Sequence, residues 1–412
     1  MMMPALTRRV AALLLALGLL AQALPANAAS SARGRDEVIA RLGPDVDPQM
    51  VAARAGLVPL DRLGALPVYR FAITDGSTAR EKAAALAAVP GVTTAEPNLR
   101  VVSPWAQRRS SWVVGSDAEG YAAQWAPARL GLPAAHAVTR GRGVTVAILD
   151  TGVDVDHPAL VEHLDAGYDF VDDDADPREV GSPADAAFGH GTHVAGLVAL
   201  VAPEARILPL RTLRPDGSGD LWTQLAALRF AAAQGAQVIN MSFSFGERSR
   251  IFDDAVALLT CNGASVDPCR GGRPKGAVAV AAAGNSGAPV REFPGASTQP
   301  GLLGVAASNE ADTLASFSTY GSWLPLAAPG ELIVSTVPGG GYAAWSGTSM
   351  AAPLVAGTVA LVRSAAPQLS PSEAARRVVE TADPIDGRVR RRLDTAGAVG
   401  ASASARTDAA TP

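Results

Sequence analysis

Cysteine is close to absent from this chain of 412 residues, which carries only Cys261 and Cys269. Two cysteines cannot build a disulfide framework, so side-chain packing has to hold the fold together. Lysine occurs only at Lys82 and Lys275, and the net charge is −4 with histidine neutral. That leaves no strongly basic footprint and excludes nucleic acid as the expected partner. Long apolar runs are also lacking. The single one, at 10–24, reaches only about 15 residues where a spanning helix needs about 20, and it breaks at Pro25, so no stable membrane span is expected. What is present is 48% hydrophobic and 18% charged residues, which excludes wholesale disorder. The length leaves room for two or three compact units.

The N-terminal run has the form of an export signal. Arg8 and Arg9 precede it, and Ala26-Asn27-Ala28 places small residues where a signal peptidase cuts, so 1–28 is expected to be removed from a protein secreted to the extracellular or periplasmic space. Residues 30–102 read as a small α+β sandwich: strands at 36–42 and 68–74, helices at 48–55 and 78–89, and extended chain at 92–102. Residues 103–120 lack periodicity and read as an exposed, cleavable linker. From 121 to 398, strands (144–149, 206–210, 237–243, 277–283, 302–307) alternate with helices (190–201, 221–234, 251–259, 349–365, 371–381). The pattern predicts an α/β fold with a mostly parallel sheet between helices. Residues 399–412 read as a disordered tail.

In such a sheet, chemistry gathers beyond the carboxyl ends of the strands. Asp150 stands there, after 144–149, where a carboxylate serves a ribose, a metal or a histidine equally well. His190 and Ser349 each open a helix, and unsatisfied backbone N–H groups at the Ser349 helix start face any developing anion. Asn285 follows the apolar strand 277–283 and offers an amide donor. Together these are the parts of acyl transfer: a serine nucleophile, an imidazole base, a carboxylate orienting it and donors for an oxyanion.

The motifs Asp150-Thr151-Gly152, His190-Gly191-Thr192-His193-Val194-Ala195-Gly196, Gly284-Asn285 and Gly347-Thr348-Ser349-Met350-Ala351-Ala352-Pro353 occur in that order. In this the chain resembles the subtilisin-like serine proteases. The resemblance covers about 121–398, and 36–102 is similar to the family's inhibitory, ferredoxin-like prodomain. It implies a serine endopeptidase acting on polypeptides without a cofactor. It also implies a zymogen inhibited by its own prodomain and cut by itself between about 99 and 120. A catalytically silent binding protein on the same fold is the competing possibility.

The resemblance further implies that Gly217-Ser218-Gly219 and Ser242-Phe243-Ser244 flank the substrate as edge segments, with Ala282-Ala283-Gly284 as the second wall of the primary pocket. None of these is acidic, so an apolar or aromatic preference is expected. Phe243 and Phe245 fit core packing and pocket narrowing equally well. His193 lacks the spacing of a zinc helix, and His157 before Pro158 reads as structural. No metal is expected. Ala159 stands where the family's calcium carboxylate falls, and the acidic loop at 172–176 is open between calcium binding and simple solvation. Cys261 and Cys269, with seven residues between them, are expected to pair in an oxidising compartment for about 2.5 kcal/mol, and the protein is expected to be a monomer.

Overall fold

The computed structural model describes residues 36–106, 114–261, 276–385 and 387–401. The expected signal peptide and cysteine Cys269 lie outside them, as does nearly all of the expected C-terminal tail.

An N-terminal lobe follows the βαββαβ order: β1 (Glu37–Leu42), α1 (Pro48–Ala55), β2 (Val58–Arg62), β3 (Val68–Ala72), α2 (Ala79–Ala87) and β4 (Val92–Pro97). Its antiparallel sheet runs β2-β3-β1-β4, the ferredoxin-like arrangement. Asp47 caps α1, with Pro48 at its first position, and Thr78 with Glu81 forms a reciprocal capping box on α2. Phe71 and Leu86 are fully buried in the lobe. The strand β2 was not expected from the sequence. Its residues are mostly exposed, so it shows no inward–outward alternation, and pairing with β3 alone makes it a strand.

The chain then continues as β5 (Arg100–Val102), β6 (Val114–Ser116), α3 (Ala118–Ala123), α4 (Trp125–Arg129) and α5 (Leu132–Val138). The large lobe follows with β7 (Thr145–Asp150), β8 (Tyr168–Asp169), α6 (His190–Val201), β9 (Arg206–Arg211), β10 (Ser218–Asp220), α7 (Leu221–Ala233), β11 (Val238–Met241), α8 (Arg250–Leu259), β12 (Val278–Ala282) and β13 (Leu302–Ser308). Its last part is β14 (Leu326–Pro329), β15 (Ile333–Val337), β16 (Gly341–Trp345), α9 (Thr348–Ala365), α10 (Pro371–Glu380), β17 (Asp383–Pro384), β18 (Arg391–Arg392) and α11 (Thr395–Val399).

Among the described residues the main sheet has the order β17-β18-β14-β13-β12-β11-β7-β9-β8, parallel except between β17 and β18. One face packs on α6 and α9, the other on α7 and α8. Strands β7, β11, β12 and β13 are almost wholly buried, which is why they read as continuous apolar runs rather than alternating ones. Helix α9 is long and apolar enough to cross a membrane, but it is buried in the protein as the core helix.

The expected linker is more ordered than its composition suggests. Ser103 and Pro104 are buried, and β6 pairs with β16 in a separate three-stranded sheet. Residues 107–113 lie outside the described part.

Candidate active site

Asp150 ends β7 and His190 begins α6. Their motifs dock backbone to backbone: Gly191 N–H donates to Thr151 Oγ1 at 2.9 Å, and a Cβ at Gly191 would overlap the Gly152 carbonyl. The close approach brings His190 Nδ1–H onto Asp150 Oδ1 at 2.6 Å, with both side chains essentially inaccessible to solvent. Thr151 N–H donates to the same oxygen at 2.8 Å. With Nδ1 committed as donor, His190 Nε2 is left as an acceptor.

Ser349 is the second residue of α9, whose first turn has no side-chain cap. Its carbonyl would ordinarily receive the N–H of residue 353, which is proline; Ser242 Oγ donates to it instead at 3.2 Å. Ser242 is held in turn by Asn240 Nδ2 at 2.9 Å. Asn285 Oδ1 accepts from Thr348 N (2.9 Å) and Thr348 Oγ1 (3.0 Å), which fixes the amide and leaves Nδ2 beside Gly347 at the cleft.

The chain's own residues 100–106 lie in this cleft. β5 pairs antiparallel with β10, and on its other side Val102 and Ser244 exchange both backbone hydrogen bonds, at 2.9 and 2.8 Å. Ser103 N–H donates to the Gly217 carbonyl at 2.8 Å. An extended segment thus sits as a strand between the two expected edges, Gly217–Gly219 and Ser242–Ser244. The chain then turns, with Ala106 N–H returning to the Ser103 carbonyl at 3.1 Å, and Trp105 stacks on Trp345 at 4.3 Å. Ser103 Oγ faces His190 Nε2 at 3.4 Å, while Ser349 Oγ is turned to the Ser242 carbonyl at 3.5 Å. No hydrogen bond joins Ser349 to His190 while the tail is in place.

A family model for the subtilases, peptidase S8, matches residues 141–406. The chain belongs to the subtilase family. It is 37% identical over 309 residues to a thermophilic serine proteinase of Bacillus sp. strain AK1, covering 72% of this chain and 69% of that protein. It is 38% identical over 275 residues to thermitase of Thermoactinomyces vulgaris, covering 64% and 90%. Among solved structures, a cold adapted subtilisin-like serine proteinase aligns with a TM-score of 0.53 at 33% identity, over 62% of this chain and 90% of that one. Fervidolysin from Fervidobacterium pennivorans aligns at 0.70 over 89% of this chain and 61% of that one; at 23% identity it is a likeness of fold. This subtilase is a serine endopeptidase.

One open reading of the flanking segments is now decided. Phe243 is fully buried and Phe245 nearly so, the latter packed edge-on to Phe252 at 5.2 Å. Their rings belong to the core, so Phe243 offers the cleft only its backbone. Ala282 and Ala283 are buried, their side chains packed in hydrophobic core clusters. An acidic side chain outside the named segments lies against them, however. Glu292 accepts from Ser244 Oγ (3.1 Å) and Thr319 Oγ1 (3.1 Å), and a Cβ at Gly284 would overlap its carboxylate. Its distance along the chain from the wall motif hid it.

A second carboxyl missed in the sequence is Glu179. The bridge between Val153 and Arg178 brings it beneath the catalytic motifs. Its Oε2 accepts from Thr192 Oγ1 at 3.0 Å, and its Oε1 is sealed from solvent. Burial, with the charge of Asp150 adding to it, pushes this carboxyl up to about 7.

His193 and His157 are structural. His193 stacks on Trp345 at 4.6 Å and donates from Nε2 to the Ala343 carbonyl at 3.1 Å, and burial pushes it down to about 3. His157 bonds the Gly341 carbonyl and Ala159 N–H. In the acidic loop, Arg211 reaches both Asp169 and Asp172, and among the described residues no metal-ligating cluster forms.

Proposed function

We propose that this subtilase is exported as a zymogen and cuts itself free of the lobe at 36–102. Ser349 is the nucleophile, His190 its base, Asp150 the group that orients His190, and Asn285 Nδ2 with the Ser349 N–H holds the oxyanion. Ser349 Oγ turns from the Ser242 carbonyl to His190 Nε2 once Ser103 leaves, and attacks the carbonyl of a substrate laid between Ser244 and Gly219. His190 then passes the proton to the leaving amine, and water repeats the cycle on the acyl-enzyme.

The observation that carries this reading is the strand-paired tail, which fills the cleft and takes the acceptor of His190. The lobe is anchored to match. Glu96 accepts from Ser249 Oγ (2.8 Å), Arg250 N (2.9 Å) and Ile251 N (2.7 Å) at the start of α8, and Asn98 Oδ1 accepts from Trp222 N (3.0 Å) at the start of α7.

Secretion of Ser349→Ala in the same host tests it. The expected product retains the N-terminal lobe, whereas a mature N-terminus between about 99 and 120 in that variant would overturn self-cleavage. Labelling of the processed wild type by a fluorophosphonate is expected; its absence favours a silent binding protein. Mass spectrometry of the same sample reports whether Cys261 and Cys269 are paired.

A further inference from the structure

We propose that Glu179 is a positioning residue of the catalytic centre: acting through Thr151 and Thr192, it fixes the Asp150 motif against the His190 motif and so holds His190 Nδ1–H on Asp150. The proposal rests on the roles of Asp150, His190 and Ser349 given above.

The two motifs are joined by a crossed pair of hydrogen bonds. Thr151, next to Asp150, accepts the Gly191 N–H at 2.9 Å, and Thr192, two residues after His190, accepts the Asp154 N–H at 2.9 Å. Each hydroxyl thereby commits a lone pair to the opposite motif and keeps its proton for a third group. Glu179 is that group. Its Oε2 takes the Thr192 proton at 3.0 Å, and the Thr151 side chain donates to the same carboxyl. With its proton held, each hydroxyl keeps its lone pair on the N–H it serves.

Glu179 also stands in for a missing cap. Helix α6 begins at His190, and its N-cap, Gly189, has no side chain to close the first turn. Thr192 N–H lies 3.4 Å from Glu179 Oε2, and the Gly189 N–H bonds the carboxyl as well. A carboxyl from a preceding loop thus meets the helix end that carries His190. Its backbone is tied to the other motif: Glu179 N–H donates to the Val153 carbonyl at 3.1 Å, and a Cβ at Gly152 would overlap the Arg178 carbonyl. Backbone on the Asp150 side and carboxyl on the His190 side make Glu179 the bracket between them. Among the described residues its side-chain hydrogen bonds all go to these two segments, none to the strands at Gly217–Gly219 and Ser242–Ser244 that flank the substrate.

The test compares Glu179→Ala, Glu179→Gln and Thr192→Val with the wild type as processed enzymes. Turnover is taken per site labelled by a fluorophosphonate, at a temperature well below every melting midpoint. Glu179→Ala and Thr192→Val are each expected to lower kcat about tenfold or more with KM unchanged, because the Asp150–His190 pair is misaligned while the flanking strands are intact. The double variant is expected to lose no more than the larger single one. Glu179→Gln, which keeps an acceptor, is expected to recover most of the loss. A second measurement needs no activity: in the Ser349→Ala chain the low-field proton signal of His190 Nδ1–H is expected to persist with Glu179→Gln and to broaden or move with Glu179→Ala. Losses confined to KM or to the melting temperature, additive single losses, or an unmoved proton signal overturn the proposal and leave Glu179 a structural residue. If Glu179→Ala does not fold, Thr192→Val carries both measurements, with the same expected and refuting results. Absence of labelling in the processed wild type, by contrast, overturns the roles of Ser349 and His190 on which the proposal stands.

Discussion

Glutamine at position 179 tests whether a carboxyl beside Asp150 titrates inside the fold. The ordinary value of 4.5 for such a group rises to about 7 here, burial being the larger cause and the charge of Asp150 a smaller one. Below pH 4.5 the carboxyl is protonated in both the folded and unfolded chain. Between 4.5 and about 7 only the unfolded chain gives up the proton, so the folded form loses ground as pH rises through that window; above it the deficit is constant. At about 1.4 kcal/mol per pH unit the window is worth about 3 kcal/mol. His193 acts in the opposite sense. Burial lowers it from 6.5 to about 3, so the unfolded chain alone takes up a proton below 6.5, and stability is lost as pH falls from 6.5 toward 3. Where the windows overlap the two slopes cancel. Glu179→Gln removes one of them and uncovers the other. The assay is calorimetry of the Ser349→Ala chain with and without Glu179→Gln, from about pH 4.5 to pH 8, the parent variant preventing autolysis. The midpoint gap is expected to move several degrees in favour of Gln across that range, at about 2 °C or more per kcal/mol. A gap that stays constant with pH refutes the reasoning, because the carboxyl would then ionise in its ordinary range.

Three other perturbations have defined outcomes. Asn285→Ala is expected to lower kcat by about 10²–10³ with little change in KM, a magnitude known for such donors in subtilisins; a change confined to KM would remove Asn285 from the oxyanion site. Glu96→Ala takes the acceptor from the Arg250 and Ile251 N–H groups at the start of α8 and is expected to weaken the hold of the N-terminal lobe by about 1–2 kcal/mol, read as a shorter lag between self-cleavage and the appearance of activity. Chelation is expected to leave the melting temperature unchanged, because Arg211 already engages Asp169 and Asp172 and no metal-ligating cluster forms among the described residues; a large drop would mark the loop at 172–176 as a calcium site.

Much of the fold and the four catalytic motifs were legible in the sequence because their causes are local. A buried parallel strand has to be a short apolar run, as 277–283 is. The glycines of the Asp150 and His190 motifs stand where two backbones touch, and Pro353 leaves free the one carbonyl that Ser242 takes. The flanking segments at Gly217–Gly219 and Ser242–Ser244 followed from the family pattern.

What periodicity could not reveal was contact between distant parts of the chain. The β2 edge strand has no buried face to betray it, and the tail's turn over His190 is set by stacking of Trp105 on Trp345. Phe243 was ambiguous because a phenyl ring fits a core or a pocket equally well until its neighbours are known. Glu179 and Glu292 lie in loops with no motif around them. Only the folding back of those loops placed one beneath Asp150, where burial raises its carboxyl, and the other against Ser244 and Gly284. The sequence by itself thus determined which bond-breaking chemistry the protein carries, and the tertiary structure decided which distant side chains and which stretch of its own chain lie against that chemistry, because only folding brings them together.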